Sequence, residues 1–192
     1  MKKLILLIGA PGSGKTTDAK LIAKDIPEIT SYSLGEILKQ EIQKGGKIGK
    51  IINDYVSKGE LIPTSLTIDE LCKTILDAPT DVVLVDGFPR EIEHVKIFGD
   101  VIANLKRVEL LSVIEVRVHP DIAKERYFKN HNESEEVFNH SMEIYQNTIK
   151  EIEEYYKDKN ILKVIDGERD LKEVVNDIEE HIKSLIPIPA EA

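Results

Sequence analysis

Leu4-Ile5-Leu6-Leu7-Ile8-Gly9-Ala10-Pro11-Gly12-Ser13-Gly14-Lys15-Thr16 is the stretch whose reading decides the fold. It opens with an unbroken apolar run, the pattern of a strand covered on both faces in a parallel sheet. Gly9 to Thr16 then match G-x-x-x-x-G-K-[ST] in full. Glycines in such a loop let backbone N–H groups curl around phosphate oxygens. A helix starting at Thr16 turns its positive end toward the same anion. Lys15 reaches the terminal phosphates of a nucleotide and the Thr16 hydroxyl suits Mg²⁺. The expected cradle is Gly12, Ser13, Gly14, Lys15, Thr16 and Thr17.

Outward from this loop, apolar strand-like runs alternate with helical patterns. Strands are read at 4–8, 29–33, 82–85, 110–118 and 161–165. Helices are read at 16–24, 33–44, 48–58, 66–76, 91–105, 120–129, 135–157 and 170–185. Ser33-Leu34-Gly35-Glu36 has the form of a capping box, Thr64 or Ser65 is the expected cap of the fourth helix, and Asp170 that of the last. Pro120 suits a helix start. Alternation of this kind implies an α/β fold, a five-stranded parallel sheet wrapped by helices with right-handed crossovers. The whole chain, 1–192, reads as one domain, with a helical insertion at 33–62 standing off the sheet and a tail at 186–192 expected to fray.

The 192 residues carry a formal charge of −9, with 41% hydrophobic and 32% charged residues. That balance excludes a general nucleic-acid or membrane-surface binder and leaves room for a small anion held by a few local cations. Cys72 is the only cysteine, so no internal disulfide forms and a reducing, cytoplasmic setting is expected. Met1-Lys2-Lys3 before an apolar run has the look of a leader, but the phosphate loop that follows reads the run as a strand. No run approaches the ~20 apolar residues of a membrane span. Arginine is scarce, five against twenty-one lysines.

Val82-Val83-Leu84-Val85 ends in Asp86, a carboxylate at the strand edge where a ligand crevice lies and a candidate for holding Mg²⁺. Asp86-Gly87-Phe88-Pro89-Arg90 follows. This segment, together with Gly9 to Thr17, Ser33 to Lys39, Gly59-Glu60-Leu61-Ile62-Pro63 and Ile165-Asp166-Gly167, resembles the nucleoside monophosphate kinases, most closely the bacterial adenylate kinase type. The resemblance spans nearly the whole chain. It implies transfer of the γ-phosphoryl group of ATP to AMP, giving two ADP, with Mg²⁺ as cofactor, small molecules as the only partners and a monomeric protein. It also implies that Arg126 and Arg169 serve the ATP side, while Leu34, Lys39, Gly87, Arg90 and His94 serve the monophosphate side. Lys15, Arg90 and Arg126 are the implied catalytic cations.

The departures from that pattern fall at important places. Lys39 stands where the family has arginine, which loses the bidentate fork. Leu34 replaces a threonine. His94 replaces a glutamine that reads adenine, so poorer base discrimination is expected, improved by His94→Gln. The lid, residues 129–136, is very short and lacks the family's arginines: Asn130 and Ser141 occupy two of their places, and arginine at both is expected to raise turnover. Lys129, His131 and His140 read mainly as a solvated face. His119 and His181 read as structural, and Cys72 as core. One lost arginine can cost ~10³–10⁵ in phosphoryl-transfer rate, so slow turnover is expected. A same-fold kinase for another acceptor, and a nucleotide-binding regulator with weak catalysis, are the alternatives.

Overall fold

The apolar run becomes the middle of a sheet. In the computed structural model, which describes residues 1–188, β1 (Lys2–Ile8) lies between β3 (Val82–Asp86) and β4 (Val108–Arg117). β2 (Ile29–Ser33) pairs outside β3, and β5 (Leu162–Asp166) outside β4. Every pairing is parallel and the order is β2-β3-β1-β4-β5. Chain reversal of this kind beside β1 opens a crevice at the carboxyl ends of the strands, where the phosphate loop leaves the sheet.

The two faces follow from the two-residue period of the strand. Leu4, Leu6 and Ile8 join one core cluster with Val83, Val85 and Phe88. Ile5 and Leu7 join the other, with Ala19, Ile22 and Ile178. Each buried Leu or Ile contributes roughly 1.5–3 kcal/mol, so a strand buried on both faces needs no polar alternation. The first face is covered by α4 (Thr64–Asp77), α5 (Ile92–Leu105) and the C-terminal half of α7 (Glu135–Asp158). The second is covered by α1 (Lys15–Asp25), α6 (Pro120–Asn130) and α8 (Leu171–Leu185). α2 (Leu34–Gln43) and α3 (Lys47–Val56) occupy the 33–62 segment read from sequence as an insertion. Between α6 and α7 the connection is only His131–Ser134, within the 129–136 segment read from sequence as a lid.

Element positions follow the sequence reading closely, and Ser33 and Asp170 stand at the N-caps of α2 and α8 as read, but the side-chain capping bonds are missing and the cap of α4 differs. Ser33 makes no capping hydrogen bond, because it is still the last residue of β2, paired with Asp86, and Glu36 is drawn to Lys20 at 2.6 Å. Pro63 occupies the N-cap of α4, and the Thr64 hydroxyl donates to Glu91 instead. Asp170 caps α8 without a side-chain bond. Ser134 does cap α7, accepting from Val137 N–H at 3.2 Å. The fraying expected from residue 186 stops short as well: Ile186 is buried and Ile188 packs on the second cluster, while 189–192 lie outside the described residues.

Candidate active site

The phosphate loop joins β1 to α1. Gly12 and Gly14 both take positive φ, +83° and +89°, which turns the chain sharply before the helix. Gly14 is the N-cap of α1 and no side chain caps it, so the first N–H groups of the helix are left for an anion. The Ser13 hydroxyl is buried against Gly9 with no hydrogen-bond partner among the described residues. Thr17 is exposed.

Lys15 is half-buried, and its Nζ donates to the Ala10 carbonyl at 3.3 Å. Burial lowers its pKa to about 8; the nearby Asp86 carboxylate opposes that shift and Arg90 adds to it. Lys15, Asp86 and Arg90 therefore share one electrostatic neighbourhood. The Thr16 hydroxyl donates to Asp86 Oδ1 at 2.7 Å, at the edge of β3. Asp86 is 2% exposed, and burial raises its pKa. A hydroxyl and a carboxylate side by side are hard oxygen donors, and Mg²⁺ commonly takes only one or two such protein ligands beside water and phosphate. The residues present thus fit that ion.

Arg90 lies exposed beyond β3, with its Nε donating to the Gly87 carbonyl at 2.9 Å. Its main chain is pinned from both sides. Arg90 N–H donates to His94 Nδ1 at 3.2 Å, and the Thr148 hydroxyl of α7 lies 3.0 Å from Arg90 O, sharing its one proton with the Ile144 carbonyl at 2.9 Å. Lys39 is exposed on α2. Arg126 binds backbone carbonyls: Gly167 at 2.8 Å, Ser13 at 3.4 Å and Glu168 at 3.5 Å. It thereby ties α6 to the phosphate loop and to the turn after β5. Arg169, on that turn, pairs with Asp177 of α8 at 2.6 Å.

Two residues read from sequence as serving the acceptor side are buried. Leu34, 2% exposed, is drawn into the first core cluster beside Gly87 because an aliphatic chain gains by leaving water. His94 is 1% exposed and stacks on Phe88 at 5.3 Å. Since its Nδ1 accepts from Arg90, the ring proton is on Nε2. That atom lies 3.3 Å from Glu91 Oε1 but out of line for a hydrogen bond. Burial, with Arg90 adding to it, lowers the ring pKa to about 4, so this is a neutral imidazole and not an ion pair at neutral pH. His94 as placed holds the main chain of Arg90.

The sequence reading passed over Asp18. It is 2% exposed on α1, and its carboxyl is pushed up to about 7 by burial, against the pull of Arg126. Only its place in the first turn after the loop could have flagged it. Ser141, where an arginine was sought, donates to the Gly59 carbonyl at 3.4 Å. Gly59 sits so close that a Cβ there would be 2.9 Å from the Ser141 hydroxyl. The turn after α3 therefore packs directly on α7, leaving an arginine at 141 little room. Asn130 is engaged too, donating to the Arg126 carbonyl at 3.1 Å.

This geometry, a phosphate loop with a lysine, a threonine–aspartate pair and an arginine just past β3, agrees with a family model described as adenylate kinase, which matches residues 7–161. The chain belongs to the adenylate kinase family. It is similar to an adenylate kinase of Sulfurovum sp. (strain NBC37-1), 43% identical over 197 residues that cover 97% of this chain and 100% of that protein. An adenylate kinase of Campylobacter lari is 41% identical over 189 residues, covering 97% and 100% of the two chains. One of Helicobacter hepaticus is 41% identical over 187 residues, covering 95% and 98%. As a member of the adenylate kinase family this chain is an ATP-dependent phosphotransferase, and its reaction is ATP + AMP to two ADP. Among the described residues no helix is long and apolar enough to cross a membrane.

Proposed function

We propose that the crevice at the carboxyl ends of β1, β3 and β4 runs the adenylate kinase reaction with the following division of labour. The loop amides and Lys15 hold the ATP phosphates, and Arg126 keeps the loop in register with the turn that carries Arg169 on the adenine side of ATP. Lys39 and Arg90 hold the phosphate of AMP, with Gly87 beside it. Thr16 and Asp86 would hold Mg²⁺, which would supply charge neutralisation on the transferring phosphates. The convergence of Lys15, Asp86 and Arg90 in one neighbourhood carries this reading.

The acceptor phosphate has a second pKa near ~6, so it is largely ionised at neutral pH and needs no general base. One of its oxygens attacks the γ-phosphorus. The new P–O bond forms as the bond to the β,γ-bridging oxygen breaks, and the electron pair stays on the departing ADP. With both nucleotides fully ionised no proton is taken up or released. What the chain supplies is positioning and charge. Lysine in place of arginine at 39, and a lid connection without arginine, support slow turnover with nucleotide binding less affected. A single subunit in a reducing, cytoplasmic compartment completes the proposal, and the half-buried free thiol of Cys72 suits it.

The test offers purified protein each nucleoside monophosphate with Mg-ATP, follows ADP, and measures ATP binding in parallel. AMP is the expected acceptor. Lys15→Ala should weaken ATP binding by at least tenfold with the circular dichroism spectrum unchanged. Equal ATP affinity in variant and parent would remove the basis for the assignment.

A further inference from the structure

His131 follows directly on α6, in the connection that is all that remains of a lid. Its ring is held from several directions. It stacks on Tyr127, with centroids 4.4 Å apart and planes 12° from parallel. The Tyr127 carbonyl lies 3.2 Å from Nδ1, and because a carbonyl only accepts, Nδ1 carries the proton and Nε2 is the free position. Tyr127 backs onto the phosphate loop: a Cβ at Gly12 would lie 3.0 Å from Tyr127 Cβ. Its hydroxyl donates to Glu133, which ties the connection down. His131 is within electrostatic range of both Lys39 on α2 and Lys15 at the loop, the cations assigned above to the two phosphate positions. Lys129, by contrast, is turned to Glu125 at 3.2 Å.

We propose that His131 is the lid's catalytic cation, donating from Nε2–H to an oxygen of the γ-phosphoryl group as it passes between the nucleotides. The inference rests on the adenylate kinase reading of the site. The charged and titratable groups around the ring are Lys15 from α1, Lys39 from α2, and Tyr127 with its partner Glu133. In the protein without nucleotides, burial, then Lys39 and Lys15, hold the imidazole below its ordinary pKa. Phosphates lying between those lysines reverse the sign of the field and favour the imidazolium. The ring proton stays on His131 through the transfer, so no proton is gained or lost in the step. A histidine in this role ties the rate to pH, as a guanidinium does not.

The experiment follows the His131 imidazole C2–H resonance of the full-length protein against pH, assigned with His131→Asn. It is recorded alone and with Mg²⁺, AMP and the non-hydrolysable β,γ-imido analogue of ATP. The expected result is a pKa rise of roughly one unit on binding, with kcat of the parent falling as pH rises. Ionisation of the AMP phosphate is common to all variants, so the difference between profiles isolates the histidine. His131→Asn should lower kcat about tenfold at pH 6, lose that pH dependence and leave both KM values within about twofold, while His131→Arg restores kcat and holds it at high pH. An imidazole that does not move with nucleotides bound, or a His131→Asn profile parallel to the parent's, overturns the role of His131 alone. A parent that neither binds ATP nor forms ADP overturns the underlying reading as well.

Discussion

At the scale of single residues, His94 shows how a polar side chain can act on a site without facing it. Its Nδ1 accepts the main-chain N–H of Arg90, and its ring lies on Phe88. His94→Phe keeps an aromatic ring in that space and removes the acceptor. The hydrogen bond is worth about 1 kcal/mol, so the KM for AMP should rise roughly fivefold with the KM for ATP unchanged. His94→Gln, whose amide oxygen can accept the same N–H, should recover most of the loss. A glutamine variant no better than the phenylalanine one in steady-state kinetics would reduce His94 to a volume filler. This expectation replaces the one drawn from sequence, in which glutamine acted on base choice.

Among the elements, the contact that matters most is between the phosphate loop and α6. A Cβ at Gly12 would lie 2.0 Å from the Ala123 carbonyl oxygen, a main-chain atom that cannot swing away. At Gly14 the same added atom meets nothing within 4 Å. Both positions carry positive φ, so alanine is strained at each by about 1–2 kcal/mol. Only Gly12→Ala must also push loop and helix apart. Thermal denaturation should therefore rank Gly12→Ala clearly below Gly14→Ala, and ATP affinity should follow the same order. Equal midpoints would mean that α6 yields freely and does not hold the loop. Arg126 works along the same seam, with its guanidinium spent on three carbonyls, one in the phosphate loop and two on the turn after β5.

For the molecule as a whole, a buried carboxyl in the middle of the sheet makes stability depend on pH. Glu115, 1% exposed on β4, has its carboxyl raised from 4.5 to about 7 by burial first, then by the hydrogen bond and charge of Glu153, with Arg117 opposing. The folded protein thus holds a proton that the unfolded chain releases. Stability from this source is full below the unfolded value of 4.5 and is lost as pH rises through about 7. Glu153→Gln removes the like charge and offers an amide donor in its place. Its unfolding midpoint should exceed the parent's by about 3 °C at pH 8 and differ little at pH 5. The same shift at both pH values would place the effect in packing and not in the shared proton.

The sequence by itself determined the alternation of strand and helix, the loop after the first strand and the carboxylate and arginine after the third, because each is local: an apolar run such as Leu4–Ile8 has only one way to be covered, and Gly12-Ser13-Gly14-Lys15-Thr16 has few conformations other than a phosphate cradle. The family followed from those segments in order. Only the tertiary structure decided which side chains face the crevice. Leu34 and His94, read from sequence as acceptor-side residues, are buried in the fold, Leu34 beside the Gly87 turn and His94 on the Phe88 ring. Thr64 leaves its cap for Glu91, and Ser141 meets Gly59 across eighty-two positions of chain. His131 reads from sequence as a solvated residue in a polar break. It gains a role only because Tyr127 beneath it packs on the phosphate loop and Lys39 of α2 comes within electrostatic range, an arrangement of separate segments that no local pattern encodes.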